Sequence, residues 1–234
     1  MNRDAISRWL VLGVIAAILG YGVVKQHIIS GDSLLLLAAL IPSVILHEIS
    51  HGLVALWFGD DTAKKAGRLT LNPIAHVDPM GTVILPGLLI LLHTTPFGYA
   101  KPVPVNPRQL RHPRNQSVLV SLAGPATNIV LAVMAAMVFR LGHLHLTRDH
   151  LTWVDGLIEF GLINVVLALF NLIPLPPLDG SAVLERFLPA RWWEPYLRLR
   201  RYSMLLIIGL AFLAPGHGLA ALFDWGIGQW ARLL

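Results

Sequence analysis

The amino-acid sequence lacks cysteine altogether and is poor in charged residues. Without cysteine the chain can form neither a disulfide bond nor a thiolate metal site, so any metal ion must be held by histidine, aspartate or glutamate. Charged residues make up 13% of the 234 residues, whereas a soluble globular domain usually carries about 25%. Together with 55% hydrophobic residues and a mean hydropathy of +0.65, this composition predicts an integral membrane protein.

The positive charge of the chain does not indicate a nucleic-acid partner. The net charge is +5 and the isoelectric point is near 10, but basic residues beside apolar spans are what membrane orientation produces. The sequence also has no Gly-x-Ser-x-Gly nucleophile motif, no internal repeat and no appended soluble domain. Its first apolar run lacks a small-residue cleavage site and is followed by Lys25, which predicts a retained span instead of a signal peptide.

Apolar runs predict an all-α polytopic membrane protein with about five spanning helices. The runs are Trp9–Val24, Leu34–Phe58, Asn115–Phe139, Gly156–Ile173 and Ser203–Phe223. A further apolar stretch, Thr82–Leu92, is short and broken by Pro86 and Gly87, so we expect a re-entrant or interfacial segment. The polar, turn-rich residues 59–79 predict a short hairpin or an irregular loop. We expect residues 1–234 to form a single integral membrane domain.

Basic residues predict how these spans are oriented. If the N-terminus is cytoplasmic and Thr82–Leu92 does not cross, fourteen of the 18 lysines and arginines face the cytoplasm, as the positive-inside rule requires. The four exceptions are Lys25, Arg140, Arg148 and Arg232. This orientation places the C-terminal end of the second span and that of the fourth at the cytoplasmic face.

The second span contains the sequence His47-Glu48-Ile49-Ser50-His51, which reads H-E-x-x-H. Residues four apart share one face of a helix, so both imidazoles can reach a single metal ion, and Glu48 can reach a water bound to it as a general base. A pair of histidines on an apolar helix can also be simply packed. Three ionisable groups in a membrane-length segment, however, indicate a functional site.

A catalytic zinc site needs a third protein ligand, and Asp179 is the best candidate. It follows the fourth span at a depth similar to that of His51, and the prolines before it prevent a regular helix, so the backbone can turn the carboxylate inward. The competing interpretation is an ordinary turn at the membrane exit. His76 and Asp78 are alternative ligands, although they lie in a long loop with less positional constraint.

Asn171 is a polar residue near the end of the fourth span, and it has two interpretations. Its amide could donate a hydrogen bond to an oxyanion that develops during catalysis. It could equally be an amide that holds two helices together.

The chain resembles the site-2 protease family of intramembrane zinc metalloproteases. The matching residues are His47-Glu48-x-x-His51, Asn171-x-x-Pro174-x-Pro176-x-Leu178-Asp179-Gly180 and, between them, Gly124-Pro125-x-x-Asn128. The resemblance covers roughly residues 34–185. It is a compact form, since neither a PDZ-type insertion nor a CBS-type domain is present in the sequence.

The resemblance implies a role for five of the matching residues. His47, His51 and Asp179 would bind one zinc ion per chain, Glu48 would be the catalytic base and Asn171 would stabilise the transition state. It also implies hydrolysis of a peptide bond in or near a transmembrane segment of a membrane protein substrate, on the cytoplasmic side of a prokaryotic cell membrane. The expected partners are that substrate and the lipid bilayer.

Two rival functions place the same residues differently. A metal transporter would need polar residues that continue across the membrane, and the outer halves of these spans supply none. A catalytically inactive metal-binding scaffold would have no need of Glu48. Both rivals therefore account for fewer of the observed residues than a protease does.

Overall fold

Every regular element in the described part of the chain is helical. The computed structural model describes residues 31–78, 100–144, 153–202 and 219–234, together with Gly13 and Ala17. The α-helices within these ranges are α1 Gly31–Trp57, α2 Thr62–Lys65, α3 Pro113–Leu141, α4 Trp153–Asn171, α5 Ser181–Phe187, α6 Trp193–Arg201 and α7 Leu219–Ala231. Short 3-10 turns occupy Pro73–His76, Pro107–Gln109 and Ala190–Trp192. The all-α prediction is thus confirmed for these residues.

Several sequence predictions fall outside the described residues. They are almost the whole first span Trp9–Val24, the re-entrant segment Thr82–Leu92 and residues 203–218 of the last span. Residues 219–223, at the end of that last span, belong to α7. Helix α7 continues past Phe223 to Ala231.

Three of the described helices are long and apolar enough to cross a membrane. These are Leu35–Trp57 with 23 residues, Pro113–Leu141 with 29 and Trp153–Asn171 with 19. At about 1.5 Å per residue, even the shortest covers nearly 30 Å, the thickness of the hydrocarbon core. They correspond to the second, third and fourth predicted spans, so the chain is an integral, multi-pass membrane protein.

These three helices pack on one another through small residues and turn large apolar ones outward. The buried side chains include Ala132, Ala135 and Ala136 of α3 and Val165 of α4. Small side chains let helix backbones approach closely, which is how spans associate in lipid. Large exposed side chains on the outer face of α3 suit contact with lipid: Val130, Met134, Met137 and Val138.

Helix α7 is fixed against the spans by a tryptophan. Trp230 is only 5% exposed, and its Nε1 donates a hydrogen bond to the carbonyl oxygen of Ala132, 2.7 Å away. The indole ring passes close to Gly161 of α4, where a Cβ atom would lie 2.1 Å from ring atom Cζ2. Glycine at position 161 is therefore what allows α7 to reach α3.

The segment after α1 is held by one buried carboxylate. Asp60 is fully buried, and its oxygens accept hydrogen bonds from the backbone N–H of Thr62 at 3.0 Å and of Asn106 at 2.6 Å. These bonds join residues 59–62 to the extended segment 100–106. Residues 59–78 form helical turns and irregular loop without a strand, so the hairpin alternative was wrong for them.

Candidate metal centre

His47 and His51 lie one turn apart on the inward face of α1. Their exposed fractions are 6% and 8%, and their Nε2 atoms are 3.1 Å apart. The helix is apolar around them, so the pair is removed from bulk water while α1 fixes its spacing. The two imidazoles can therefore address one small space, as the sequence motif predicts.

Asp179 enters this space from the loop that follows α4. The proline-rich turn is closed by the backbone N–H of Gly180, which donates to the carbonyl oxygen of Asn171 at 2.6 Å. A Cβ at Gly180 would lie 2.3 Å from the carbonyl oxygen of Leu172, so the tight return requires glycine. Asp179 Oδ2 consequently lies 3.1 Å from Nε2 of His47 and 3.4 Å from Nε2 of His51.

The hydrogen bonds around the histidines leave their Nε2 lone pairs facing Asp179. Nδ1 of His51 is 2.7 Å from the carbonyl oxygen of Val120, which can only accept, so Nδ1 carries the proton. Nδ1 of His47 is 2.5 Å from Oδ1 of Asn128. Asp179 Oδ2 is buried and has no hydrogen-bond partner. Two imidazole nitrogens and a carboxylate oxygen at these distances need either a shared proton or a metal ion between them.

The distances within this cluster suit zinc. Zinc bonds to nitrogen and oxygen of about 2.0–2.1 Å place ligand atoms roughly 3.3 Å apart in a tetrahedral site. The three observed separations range from 3.1 to 3.4 Å. Two imidazoles and one carboxylate are also a donor set that zinc accepts, with a fourth position left for water.

Gly124 of α3 makes room for an ion beside the ligands. A Cβ at this position would lie 2.5 Å from Nε2 of His47 and 2.5 Å from Nε2 of His51. Any larger residue would therefore occupy the space into which both lone pairs point.

The surroundings of Asp179 favour the ionised carboxylate that metal binding requires. Burial by itself would raise its pKa, but the side chains of His47 and His51 outweigh this effect and hold the pKa below its ordinary value.

Glu48 and Asn171 are positioned differently from the three clustered residues. Glu48 is half-buried, and its Oε2 accepts a hydrogen bond of 2.7 Å from the backbone N–H of Val103. Nδ2 of Asn171 donates to the carbonyl oxygen of Leu167 in its own helix at 3.0 Å. The alternative ligands His76 and Asp78 lie outside the cluster formed by the described residues; Nε2 of His76 is instead 2.9 Å from the carbonyl oxygen of Thr70.

The sequence analysis gave no role to three polar residues near the centre: Ser43, Asn128 and Asn164. All three are fully buried and linked by hydrogen bonds. The available signal was their position, because an amide within an apolar span has to find a polar partner inside the protein.

Comparison with known proteins places this chain among zinc metalloproteases. The model of peptidase family M50 matches residues 35–147 and 147–215. The chain is 42% identical over 184 residues to "Putative zinc metalloprotease YwhC" of Bacillus subtilis, covering 77% of this chain and 80% of that protein. It is 33% identical over 186 residues to "Putative zinc metalloprotease Rip2" of Mycolicibacterium smegmatis, covering 77% and 67%.

A second Rip2 protein, from Mycobacterium tuberculosis, is 30% identical over 198 residues and is matched over 69% of its length. No solved structure matches the chain. The family model spans both the helix with His47 and His51 and the loop with Asp179, which are the parts that form the cluster. The chain therefore belongs to peptidase family M50 and is a zinc metalloprotease built into a multi-pass membrane protein.

Proposed function

We propose that the protein is an intramembrane zinc endopeptidase of the site-2 protease type. It hydrolyses a peptide bond in or near a transmembrane segment of a membrane protein, on the cytoplasmic side. The observation that carries this proposal is the meeting of Nε2 of His47, Nε2 of His51 and Oδ2 of Asp179 within a membrane-spanning helix bundle. Ionisable groups gathered inside a set of membrane spans indicate a functional site, and two imidazoles with a carboxylate form a donor set that suits zinc.

Each residue of the site receives one role. His47, His51 and Asp179 hold a single zinc ion per chain, which supplies an acidified water molecule and polarisation of the scissile carbonyl when bound. Glu48 takes a proton from the attacking water and returns it to the departing amine. The bond from Val103 N–H to Oε2 of Glu48 fixes the orientation of the carboxylate.

Asn171 stabilises the developing oxyanion in this proposal. Its amide nitrogen has two hydrogens, and the bond to Leu167 uses only one of them. The second hydrogen is available for substrate. The bond to the helix backbone holds the amide in a defined orientation, which favours a hydrogen-bond donor that acts without reorganisation.

The rest of the proposed architecture follows the sequence. About five spans and the re-entrant segment Thr82–Leu92 form a single domain over residues 1–234, whose core motifs lie within residues 34–185. The protein resides in a prokaryotic cell membrane with its centre towards the cytoplasm. Its partners are a transmembrane protein or peptide substrate and the surrounding lipid.

The test compares the native protein with Glu48→Gln in the membranes of a strain that lacks the native copy. Quantitative proteomics should find one or more membrane proteins shortened only when the native protein is present. The glutamine variant should retain full-length substrate together with native zinc content, because position 48 contacts water and not the ion. Equal cleavage by both proteins would refute the assigned base, and an absence of any cleaved membrane protein would refute the proposed activity.

A further inference from the structure

A chain of buried polar side chains crosses the three packed spans and ends on the metal centre. It runs from Ser43 of α1 through Asn164 of α4 and Asn128 of α3 to His47. Nδ2 of Asn164 is 2.8 Å from Ser43 Oγ, Nδ2 of Asn128 is 2.7 Å from Asn164 Oδ1, and Asn128 Oδ1 is 2.5 Å from His47 Nδ1. Ser43, Asn128 and Asn164 are completely buried, so water cannot satisfy them.

Two backbone carbonyls fix the direction of hydrogen bonding at the far end of this chain. The carbonyl oxygen of Phe160 can only accept, and it lies 2.8 Å from Nδ2 of Asn164. Ser43 donates its single hydroxyl hydrogen to the carbonyl oxygen of Ala39 at 2.7 Å, so Ser43 Oγ must accept from Asn164. Both contacts require the amide nitrogen of Asn164 on that side, which turns its Oδ1 towards Asn128.

The direction of these hydrogen bonds also fixes the direction of those from Asn164 through Asn128 to the imidazole of His47. Oδ1 of Asn164 needs a donor, so Asn128 presents its Nδ2 hydrogen there and directs its own Oδ1 at His47. An acceptor facing Nδ1 of His47 requires the proton on Nδ1. A neutral imidazole with that proton has a bare Nε2, which is the atom 3.1 Å from Asp179.

We propose that Asn128 and Asn164 are positioning residues that hold His47 in the tautomer able to bind zinc. The inference rests on the metal centre proposed above. His51 needs no such device, because the carbonyl oxygen of Val120 sets its tautomer directly. For His47, the two side chains of Asn164 and Asn128 transmit the direction that the carbonyl oxygen of Phe160 in α4 sets. Partners of this kind orient a metal-binding histidine and raise its basicity.

The test measures the apparent dissociation constant for zinc of the full-length protein in detergent, by competition with a chromophoric chelator. Asn128→Leu removes the acceptor on His47, and Asn164→Leu frees Asn128 to turn its amide around. Each should raise the constant about ten- to a hundredfold, the usual cost of losing such a partner. Ser43→Ala is the matched control, because the carbonyl of Phe160 still orients Asn164, and it should keep the native constant.

A double variant, Asn128→Leu with Asn164→Leu, separates positioning from folding. Removing both amides together leaves no unpaired amide between α3 and α4, and the Nδ1–H of His47 is the donor that loses its acceptor, so the thermal midpoint should fall no further than in Asn128→Leu alone. The zinc constant should nevertheless rise as in the single variants, because His47 has lost its acceptor. A purely structural role would change the midpoint and the constant together.

The outcomes distinguish this inference from the metal centre itself. If His47→Ala loses zinc but Asn164→Leu keeps the native dissociation constant for zinc, the positioning role of the asparagines is refuted and the metal centre is not. Zinc that binds equally well after His47→Ala would overturn the centre. If the leucine variants do not fold, ¹⁵N spectra of the native zinc-loaded protein decide. Both metal-bound imidazoles should carry their proton on Nδ1, and a ring bound through Nδ1 would refute the proposal.

Discussion

Asp179 completes the site from the loop after α4, whereas the two histidines lie on α1. Its Oδ2 approaches both Nε2 atoms, and Gly124 keeps the space between α1 and α3 free. Each of these residues is chemically ordinary in isolation. The function of the cluster comes from the direction of three lone pairs, and the removal of any one ligand leaves only two.

The first residue-scale prediction concerns zinc content. Asp179→Ala should reduce bound zinc far below one ion per chain and abolish cleavage, because two ligands do not hold the ion. Zinc per chain is measured by mass spectrometry of the purified membrane protein. His76→Ala is the matched control, since this buried histidine lies outside the cluster, and it should keep one zinc ion. Full zinc content after Asp179→Ala would show that the third ligand is another residue.

At the scale of elements, the spans supply a rigid base and the connecting segments complete the site. The extended segment 100–106 brings Val103 N–H to Glu48 and is itself tied to the end of α1 through Asp60. Arg68 adds a bond of 2.6 Å from Nη2 to the carbonyl oxygen of Lys101. The orientation of the proposed base therefore depends on a segment that is remote from it in sequence.

This arrangement predicts an acid-sensitive connection at Asp60. Burial would raise the pKa of its carboxyl, but the hydrogen bonds from Thr62 and Asn106 outweigh this effect and hold the pKa below its ordinary value. A lowered pKa stabilises the folded state above about pH 3.8, and that contribution is lost as pH falls through the folded pKa. Asp60→Asn should lower the thermal midpoint at pH 7, with a cost of about 1–3 kcal/mol for a buried donor left unpaired.

The measurement is the midpoint temperature of thermal unfolding, in detergent, of the native protein and of Asp60→Asn from pH 7 down to a pH below the folded pKa of Asp60. The two midpoints should converge as the native carboxyl becomes protonated. Asp61→Asn is the matched control, because Asp61 is partly exposed and pairs with Lys65 at the surface. A gap between native protein and Asp60→Asn that is constant with pH would contradict the role of the ionised carboxylate.

The geometry of α1 also predicts where a substrate is cut. His51 lies six residues before the end of α1 at Trp57, which at about 1.5 Å per residue is roughly 9 Å from that end. A substrate span should be cut in its cytoplasm-proximal part and only after local unwinding, because a helical carbonyl is hydrogen-bonded and shielded. Replacing helix-weakening residues near the cut with leucine and alanine should slow cleavage, as mapped by mass spectrometry. Undiminished cleavage of the strengthened helix would refute this mode of access.

On the scale of the whole molecule, the two ends that build the centre must lie on the same side of the membrane. The loop with Asp179 follows α4, and His51 is near the end of α1, so both helices run towards one face. The distribution of basic residues favours the cytoplasmic face.

Topology can be tested by reporter fusions in the intact cell. Fusions after Leu92 and after Arg114 should both report a cytoplasmic location, and a fusion near Arg148 should report the opposite side. A crossing between Phe58 and Thr94 would appear as opposite reports from fusions at those two points. Such a result would mean that Thr82–Leu92 spans the membrane, and the proposed orientation would have to be abandoned.

The sequence by itself determined the membrane class, the three described spans and the histidine pair of the cluster. Composition and the length of the apolar runs indicate directly which segments lie in lipid. Helix geometry alone places the two histidines of H-E-x-x-H on one face of the helix. It left open His76 and Asp78 as ligands and a hairpin in residues 59–79. These alternatives depended on how a loop folds, which local pattern does not determine.

Only the tertiary structure decided how the site is completed. It selected Asp179 because the turn closed by Gly180 points that carboxylate at His47 and His51. It also brought Asn128 and Asn164 into contact with His47 and with each other, since the partners of a buried amide lie on other helices and not among its neighbours in sequence. Contacts between residues that are distant in sequence leave no periodic pattern in the sequence. They can therefore be identified only in the structure in which the three spans are packed together.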